Sequence, residues 1–291
     1  MTPTGSGRPR RFRFDPLWIA FGTITAAYLL FLLAMLGATA LHSSPADLWH
    51  ALQSDNVRYS IKLSLVTCTV TALFSVLLAV PVGYLLSRAR FSGKAVLDAA
   101  LDIPIVLPPM VVGLCLLILF QTRAVAYLDL GIPRAMHRLG LDVLLTGQPF
   151  HENARAFTFT VMGVVLAQFV IGAAFAVRTM RGTFDHLSAR PENVAMTLGC
   201  SRARAVWLVT LPAARRGMFA AASIAWARSL GEFGPILVFA GATRGKTEVL
   251  PTTVWLELTV GSLESAIAVS ILMVLLAVLV LASVRVAGER V

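Results

Sequence analysis

LSLVTCTVTALFSVLLAVPVGYLL, residues Leu63–Leu86, runs for 24 residues without an Asp, Glu, Lys or Arg. A helix rises 1.5 Å per residue, so about 20 apolar residues cross the roughly 30 Å hydrocarbon core of a bilayer. This stretch meets that length, and a soluble fold has little use for a charge-free run of this size. Five more runs read the same way: Leu17–Leu41, Ile103–Phe120, Phe157–Val177, Gly217–Ala240 and Ala266–Val284. Only Gly217–Ala240 contains charges, Arg228 and Glu232. The pattern predicts an all-α membrane protein with six transmembrane helices. Residues 1–16 read as a cytoplasmic tail and 17–291 as one transmembrane domain.

Composition agrees with this reading. Of 291 residues, 57% are hydrophobic and 14% charged, and the mean hydropathy is +0.78. Soluble domains carry about 25% charged residues, so a disordered chain and an ordinary soluble enzyme are both disfavoured. The net charge of +10 suits cytoplasmic loops rich in Lys and Arg better than nucleic-acid binding. With six spans both termini share one side. Placing that side in the cytoplasm puts 16 of the 25 basic residues inside and eight outside, with Arg228 in the membrane. This asymmetry predicts cytoplasmic termini. Leu17–Leu41 exceeds the 7–15 residues of a signal-peptide core, so it reads as an uncleaved first helix.

Other elements carry little chemistry. Cys68, Cys115 and Cys200 are odd in number and widely spaced, which gives no disulfide framework or metal motif. The five histidines fall in predicted loops without ligand spacing. Gly241–Thr247 (GATRGKT) misses the phosphate-loop spacing by one residue and follows no strand. No cofactor or metal is expected, and no nucleophile or paired-carboxylate constellation is evident. The outer segment Gln121–Ala156, with Gly131, Pro133, Gly140 and Gly147, predicts a broken, partly helical excursion.

The inner stretch from Arg178 to Arg216 is too long for a simple connection. Within it lies PENVAMTLGCSRARAVWLVTLP, Pro191–Pro212. Pro191 suits a first helical turn and Glu192 its positive end. Gly199 is a natural stop, Ser201 a cap for a second helix, and Pro212 an interruption before the fifth run. Two short helices joined at a glycine would make a knob on the cytoplasmic face. It fits either a soluble partner's groove or an amphipathic element resting on headgroups.

These residues resemble the signature of the membrane subunits of binding-protein-dependent ABC importers, Glu-Ala-Ala, three residues, Gly, nine residues, Ile-x-Leu-Pro. Here Asn193-Val194-Ala195, Gly199 and Val209-Thr210-Leu211-Pro212 keep the spacing, with Asn193 in the acid's place and Glu192 one position early. The resemblance covers about 60–284 and implies a type I ABC importer permease fold. It also implies that the loop 190–212 is a coupling helix docking on an ATPase, through Glu192, Asn193, Ala195, Gly199, Ser201, Arg202, Leu211 and Pro212. A narrower likeness, to the molybdate/sulfate branch, rests on Ala227–Gly234 (ARSLGEFG), Gly245-Lys246-Thr247, Leu250-Pro251 and Leu107-Pro108-Pro109. Asp102 and Gly172 depart from that branch, which has an apolar residue and a proline there. The family implies two ATPase subunits, an external binding protein and a second permease, most simply a second copy of this chain. It implies no catalysis by this chain itself. Permeases for polyamine, iron or phosphate are the rivals within the family. A secondary transporter is the rival outside it, and usually needs ionisable groups in several spans.

The candidate path residues are Pro108, Pro109, Arg228, Ser229, Gly231, Glu232, Phe233 and Gly234. Arg228 and Glu232 are four apart and would share a helix face, either as a packing ion pair or as a pair lining the path. Gly231 and Gly234 serve either close packing or a hinge, with Phe233 as a possible plug. Pro104, Pro108 and Pro109 predict a kinked third span.

Overall fold

The computed structural model describes residues 16–42, 44–138 and 155–289. All its regular elements are helical: α1 (Pro16–Leu41), α2 (Pro45–Gln53), α3 (Asp55–Arg88), α4 (Lys94–Val106), α5 (Pro109–Gln121), α6 (Arg123–Arg138), α7 (Val161–His186), α8 (Arg190–Thr197), α9 (Arg202–Ala205), a π-helical turn (Val206–Thr210), α10 (Leu211–Leu230), α11 (Gly234–Phe239), α12 (Leu250–Val260) and α13 (Leu263–Glu289). The chain divides into two units, Met1–Ser44 and Pro45–Val291. The first contributes α1, an apolar helix of 26 residues. The rest of the fold belongs to the second.

Among the described residues, α1, α3, α7 and the Leu263–Ala282 part of α13 are long and apolar enough to cross a membrane. The second and sixth runs thus lie on continuous helices that extend beyond them, while the fourth run starts four residues before its helix, Val161–His186, which extends past it at the other end. The third and fifth do not lie on one continuous helix. The third is the pair α4 and α5, bent by 110°. The residue before a proline is pushed out of the helical region, and Leu107 and Pro108 both take extended ψ, 140° and 133°. The fifth breaks at Gly231-Glu232-Phe233, with α11 restarting through Pro235. The fifth run was expected to be one span, with Gly231 and Gly234 as close packing or a hinge. The glycine that ends α10 and the proline that opens α11 override the apolar run.

Two buried clusters hold the second unit together. One joins α3, α7, α10 and α13 through Leu86, Met180, Phe184, Ala221, Trp226 and Val269. The other joins α5, α7 and α11 through Leu116, Phe120, Val164, Ile236 and Phe239. Small residues line the α10 seam, with Ala214, Ala221 and Ala225 fully buried. In a bilayer, close helix approach at small residues replaces the hydrophobic drive of water. α6 runs through Gly131 and Pro133, so the outer segment is helical there. Gly140 and Gly147 lie outside the described residues. Asp129 of α6, buried, accepts hydrogen bonds from Phe157 N and the Thr158 hydroxyl, each at 2.7 Å. This ties the end of the excursion to the start of α7.

Candidate functional site

The knob forms from short-range rules. α8 ends at Thr197, and Gly199 takes φ +93° with no atom near a hypothetical Cβ. The left-handed conformation is open to glycine and costs other residues about 1–2 kcal/mol. Cys200 N donates to Ala195 O at 3.1 Å and closes the turn. The Ser201 hydroxyl accepts from Arg204 N at 3.4 Å and caps α9. Asn193, Ser201, Arg202 and Pro212 are exposed, and Ala195 and Leu211 are half-buried. The knob also presents apolar groups that carried no role in the sequence reading. Leu198 is 81% exposed beside the Gly199 turn, and Val194 of α8 and Trp207 and Leu208 of the π turn are also exposed.

Pro212 does not interrupt the chain. It sits in the first turn of α10, and Leu211 N donates to Val206 O, five residues back. Proline lacks an N–H, and the single π turn carries the chain past it without a break.

Glu192 is placed unlike its neighbours. Asn193 faces out, whereas Glu192 is 6% exposed and turned into the protein. Its Oε1 accepts from the Tyr84 hydroxyl at 2.5 Å, and its Oε2 from the Thr210 hydroxyl at 2.9 Å. Tyr84 stands on the last turns of α3 and Thr210 at the end of the π turn. Tyr84 packs edge-on against Phe184 of α7, centroids 5.6 Å apart. Arg88 Nη2 donates to Leu187 O at 2.7 Å, just ahead of α8. Neither Tyr84 nor Thr210 was a candidate from the sequence. They lie 108 and 18 residues from Glu192, and no local pattern links them.

The candidate path residues gather at the α4–α5 corner and at the break between α10 and α11. Arg228 Nη2 lies 2.6 Å from Glu232 Oε1, with side chains 37% and 2% exposed. The pair was expected on one helix face, but α10 ends between its members at Gly231. The Arg228 guanidinium also lies over the Phe175 ring, 5.4 Å from its centroid. Ser229 is buried, and its carbonyl accepts from Gln168 Nε2 at 3.2 Å. Gln168 in turn accepts from the Thr71 hydroxyl, so an amide inside an apolar run has partners from two other helices. Phe233 is half-buried, 6.1 Å from the Trp255 ring. Gly234 abuts the start of α5. A Cβ there would lie 2.9 Å from Met110 N and 3.2 Å from the carbonyl carbon of Pro109. Reciprocally, a Cβ at Gly113 would lie 2.8 Å from Pro235 Cα. The two half-helices meet through glycines, beside Pro108 and Pro109. Gly231 has no such contact, its nearest atom being 3.9 Å away.

Both departures from the branch pattern acquire partners. Asp102 lies 3.9 Å from Arg178 across the α4–α7 crevice, which also holds the Arg181–Asp98 ion pair. Gly172 leaves room for Ser229 Oγ and Ser75 Oγ, which would stand 3.2 and 3.4 Å from a Cβ. No group of three or more metal-ligating side chains occurs among the described residues. On the predicted outer side, Glu248 is fully buried between α11 and α12, and neither carboxyl oxygen has a hydrogen bond of normal geometry. Burial raises its pKa above the usual 4.5, against the pull of the Thr253 hydroxyl and the Arg244 guanidinium.

The chain matches the family of binding-protein-dependent transport system inner membrane components over residues 75–291. It belongs to that family. It is a multi-pass membrane protein, and its family role is transport. A probable molybdenum ABC transporter permease protein of Haloferax volcanii is 33% identical over 255 residues, 88% of this chain and 84% of the relative. The molybdenum transport system permease protein ModB of Mycobacterium tuberculosis is 32% identical over 269 residues, 92% and 93% of the two chains. The sulfate transport system permease protein CysT of Salmonella typhimurium is 27% identical over 275 residues, 94% and 92%. Among solved structures, a bacterial ABC transporter involved in import of the acidic polysaccharide alginate superposes with a TM-score of 0.66 at 15% identity, covering 94% of this chain and 96% of that one. That likeness shows the fold.

Proposed function

We propose that the chain is the membrane-spanning subunit of an ATP-driven importer for a tetrahedral oxyanion, namely molybdate, tungstate or sulfate. Two copies would form the path, two ATPase subunits would dock on the knobs from the cytoplasm, and an external binding protein would deliver the anion. The chain itself would catalyse nothing. Both termini would be cytoplasmic, in keeping with the basic residues around the knob. The observation that carries the coupling part is the Pro191–Pro212 knob, with its exposed apolar Leu198. The oxyanion part is supported by the relatives carrying molybdenum and sulfate names.

The Arg228–Glu232 pair fits a path that passes anions without holding them. The guanidinium, 37% exposed, attracts an oxyanion, while Glu232 offsets its charge. Tight capture would then fall to the binding protein. Pro108, Pro109, Ser229, Gly231, Phe233 and Gly234 would shape the gate. Glu192, Asn193, Ala195, Gly199, Ser201, Arg202, Leu211 and Pro212 would build or position the docking knob.

The test is uptake of labelled molybdate by cells expressing the permease with its ATPase and binding protein, competed with unlabelled tungstate, sulfate, phosphate and spermidine. Competition by tungstate or sulfate alone supports the reading. Competition by spermidine or phosphate alone, or no molybdate uptake at all, would overturn it.

A further inference from the structure

In the family signature the acid falls one residue later than Glu192, at a position whose side chain is exposed in this chain. Here that position is Asn193, and the acid one residue earlier is turned inward. Successive helix positions differ by about 100°, so a one-residue shift moves a side chain to another face. The buried Glu192 carboxylate is then enclosed by two hydroxyls from elements on either side of the knob. Tyr84 reaches it from the end of α3, and Thr210 from the π turn that leads into α10. No ATPase groove is needed to satisfy this charge, because the protein already supplies a donor to each oxygen.

We infer that Tyr84, Glu192 and Thr210 form a bracket that fixes the knob to the ends of α3 and α10, and that Glu192 is a positioning residue for energy coupling. This rests on the knob being the ATPase-docking element. The chain leaves α8 through the left-handed Gly199 turn and re-enters the bundle through the π turn. The Gly199 turn is a place where a pulled α8 could swing without moving the helices behind it. The bracket ties α8 across that turn to α3 and to the residue that precedes α10. With it closed, a displacement of α8 is delivered to α3 and α10, the second of which carries Arg228 in its last turn and ends at Leu230. With it open, the displacement is absorbed in the turn. A charged acceptor suits this role, since hydrogen bonds to an ionised group are roughly twice as strong as neutral ones.

The experiment uses the complete transporter in proteoliposomes, with its ATPase and with binding protein loaded with molybdate. Tyr84→Phe and Thr210→Val each delete one hydroxyl, and Thr210→Ser restores one. The expected result for the two deletions is ATPase subunits that still co-purify, with molybdate transported per ATP hydrolysed reduced by at least about tenfold, the lower end of what one hydrogen bond to an ionised group supplies. Thr210→Ser should recover most of the ratio. An unchanged ratio overturns the inference. So does a loss of ATPase co-purification in proportion to uptake, which a merely structural role predicts. Loss of association in Glu192→Gln, with both hydroxyl deletions normal, would make Glu192 an ATPase contact and also overturn it. A substrate-independent measurement separates this from the oxyanion reading. Spin labels at Leu85→Cys on α3 and Leu198→Cys on the knob, in a background without the native cysteines, should give one narrow distance distribution. Adding Tyr84→Phe should broaden it, and an unbroadened distribution counts against the bracket whichever solute is carried.

Discussion

Gly231 and Gly234 flank the same two residues, yet substitution to alanine should separate them. At Gly234 a Cβ would stand 2.9 Å from Met110 N, 3.0 Å from Met110 Cγ and 3.2 Å from the Pro109 carbonyl carbon. Two of those atoms are backbone at a proline corner and cannot rotate away. Relief requires α11 to slide from α5 against the reciprocal contact of Gly113 with Pro235. Overpacking of this kind costs about 1–3 kcal/mol. At Gly231 the nearest atom is 3.9 Å away and φ is −86°, a conformation alanine adopts. There the smaller entropy of the unfolded chain should stabilise by roughly 0.4–1 kcal/mol. With about 2–4 °C of melting temperature per kcal/mol at this chain size, Gly234→Ala should lower the detergent-solubilised Tm by roughly 2–12 °C. Gly231→Ala should leave it level or slightly raised. Thermal melts of the two variants, with uptake in parallel, are the assay. A Gly231→Ala protein that stays stable but transports poorly would mark Gly231 as the moving joint. Equal loss of stability in both variants would refute the packing argument.

Arg228→Met or Glu232→Gln alone should destabilise, by up to about 3–5 kcal/mol for a fully buried pair and less here because the guanidinium is 37% exposed, and the double change should recover part of the loss; melting temperatures of all three variants check this, and additive losses would mean the two do not interact. Gly199→Val forces a β-branched residue to φ +93°, so ATPase co-purification should fall while membrane insertion, followed by fractionation, is unchanged. Burial raises the Glu248 pKa above 4.5 in the folded protein, so stability should fall as pH rises through the window between the unfolded and folded values and level off above it; Glu248→Gln should flatten this dependence in melts taken across pH, and a slope that persists would point to another group.

The sequence carries much of this arrangement where a feature is set within one or two turns. Apolar runs long enough to span are visible at Leu63–Leu86, and the structure lengthens that helix to Asp55–Arg88. Gly199 and Ser201 act as a stop and a cap because both roles depend on the immediate backbone. Pro108 and Pro109 announce a kink, but not the 110° corner, whose angle is set by what α4 and α5 pack against. The fifth run hid its break because hydropathy counts side chains, while Gly231 and Pro235 act on the backbone. Asp102 looked out of place on α4 because its partner Arg178 belongs to α7. The direction of Glu192 was not legible either. A carboxylate in a first helical turn reads as a response to the helix dipole, and only the fold brings Tyr84 and Thr210 to it.

The account's central claim is that this chain passes the work of an ATPase to an oxyanion path through the Pro191–Pro212 knob. The most direct measurement is ATP hydrolysis by the purified permease–ATPase complex in proteoliposomes, with its binding protein added empty or loaded with molybdate. The account predicts stimulation by the loaded protein, lost in Gly199→Val, with accumulation of molybdate inside the vesicles. Hydrolysis indifferent to the loaded protein, or molybdate entry that proceeds without ATP, would contradict it.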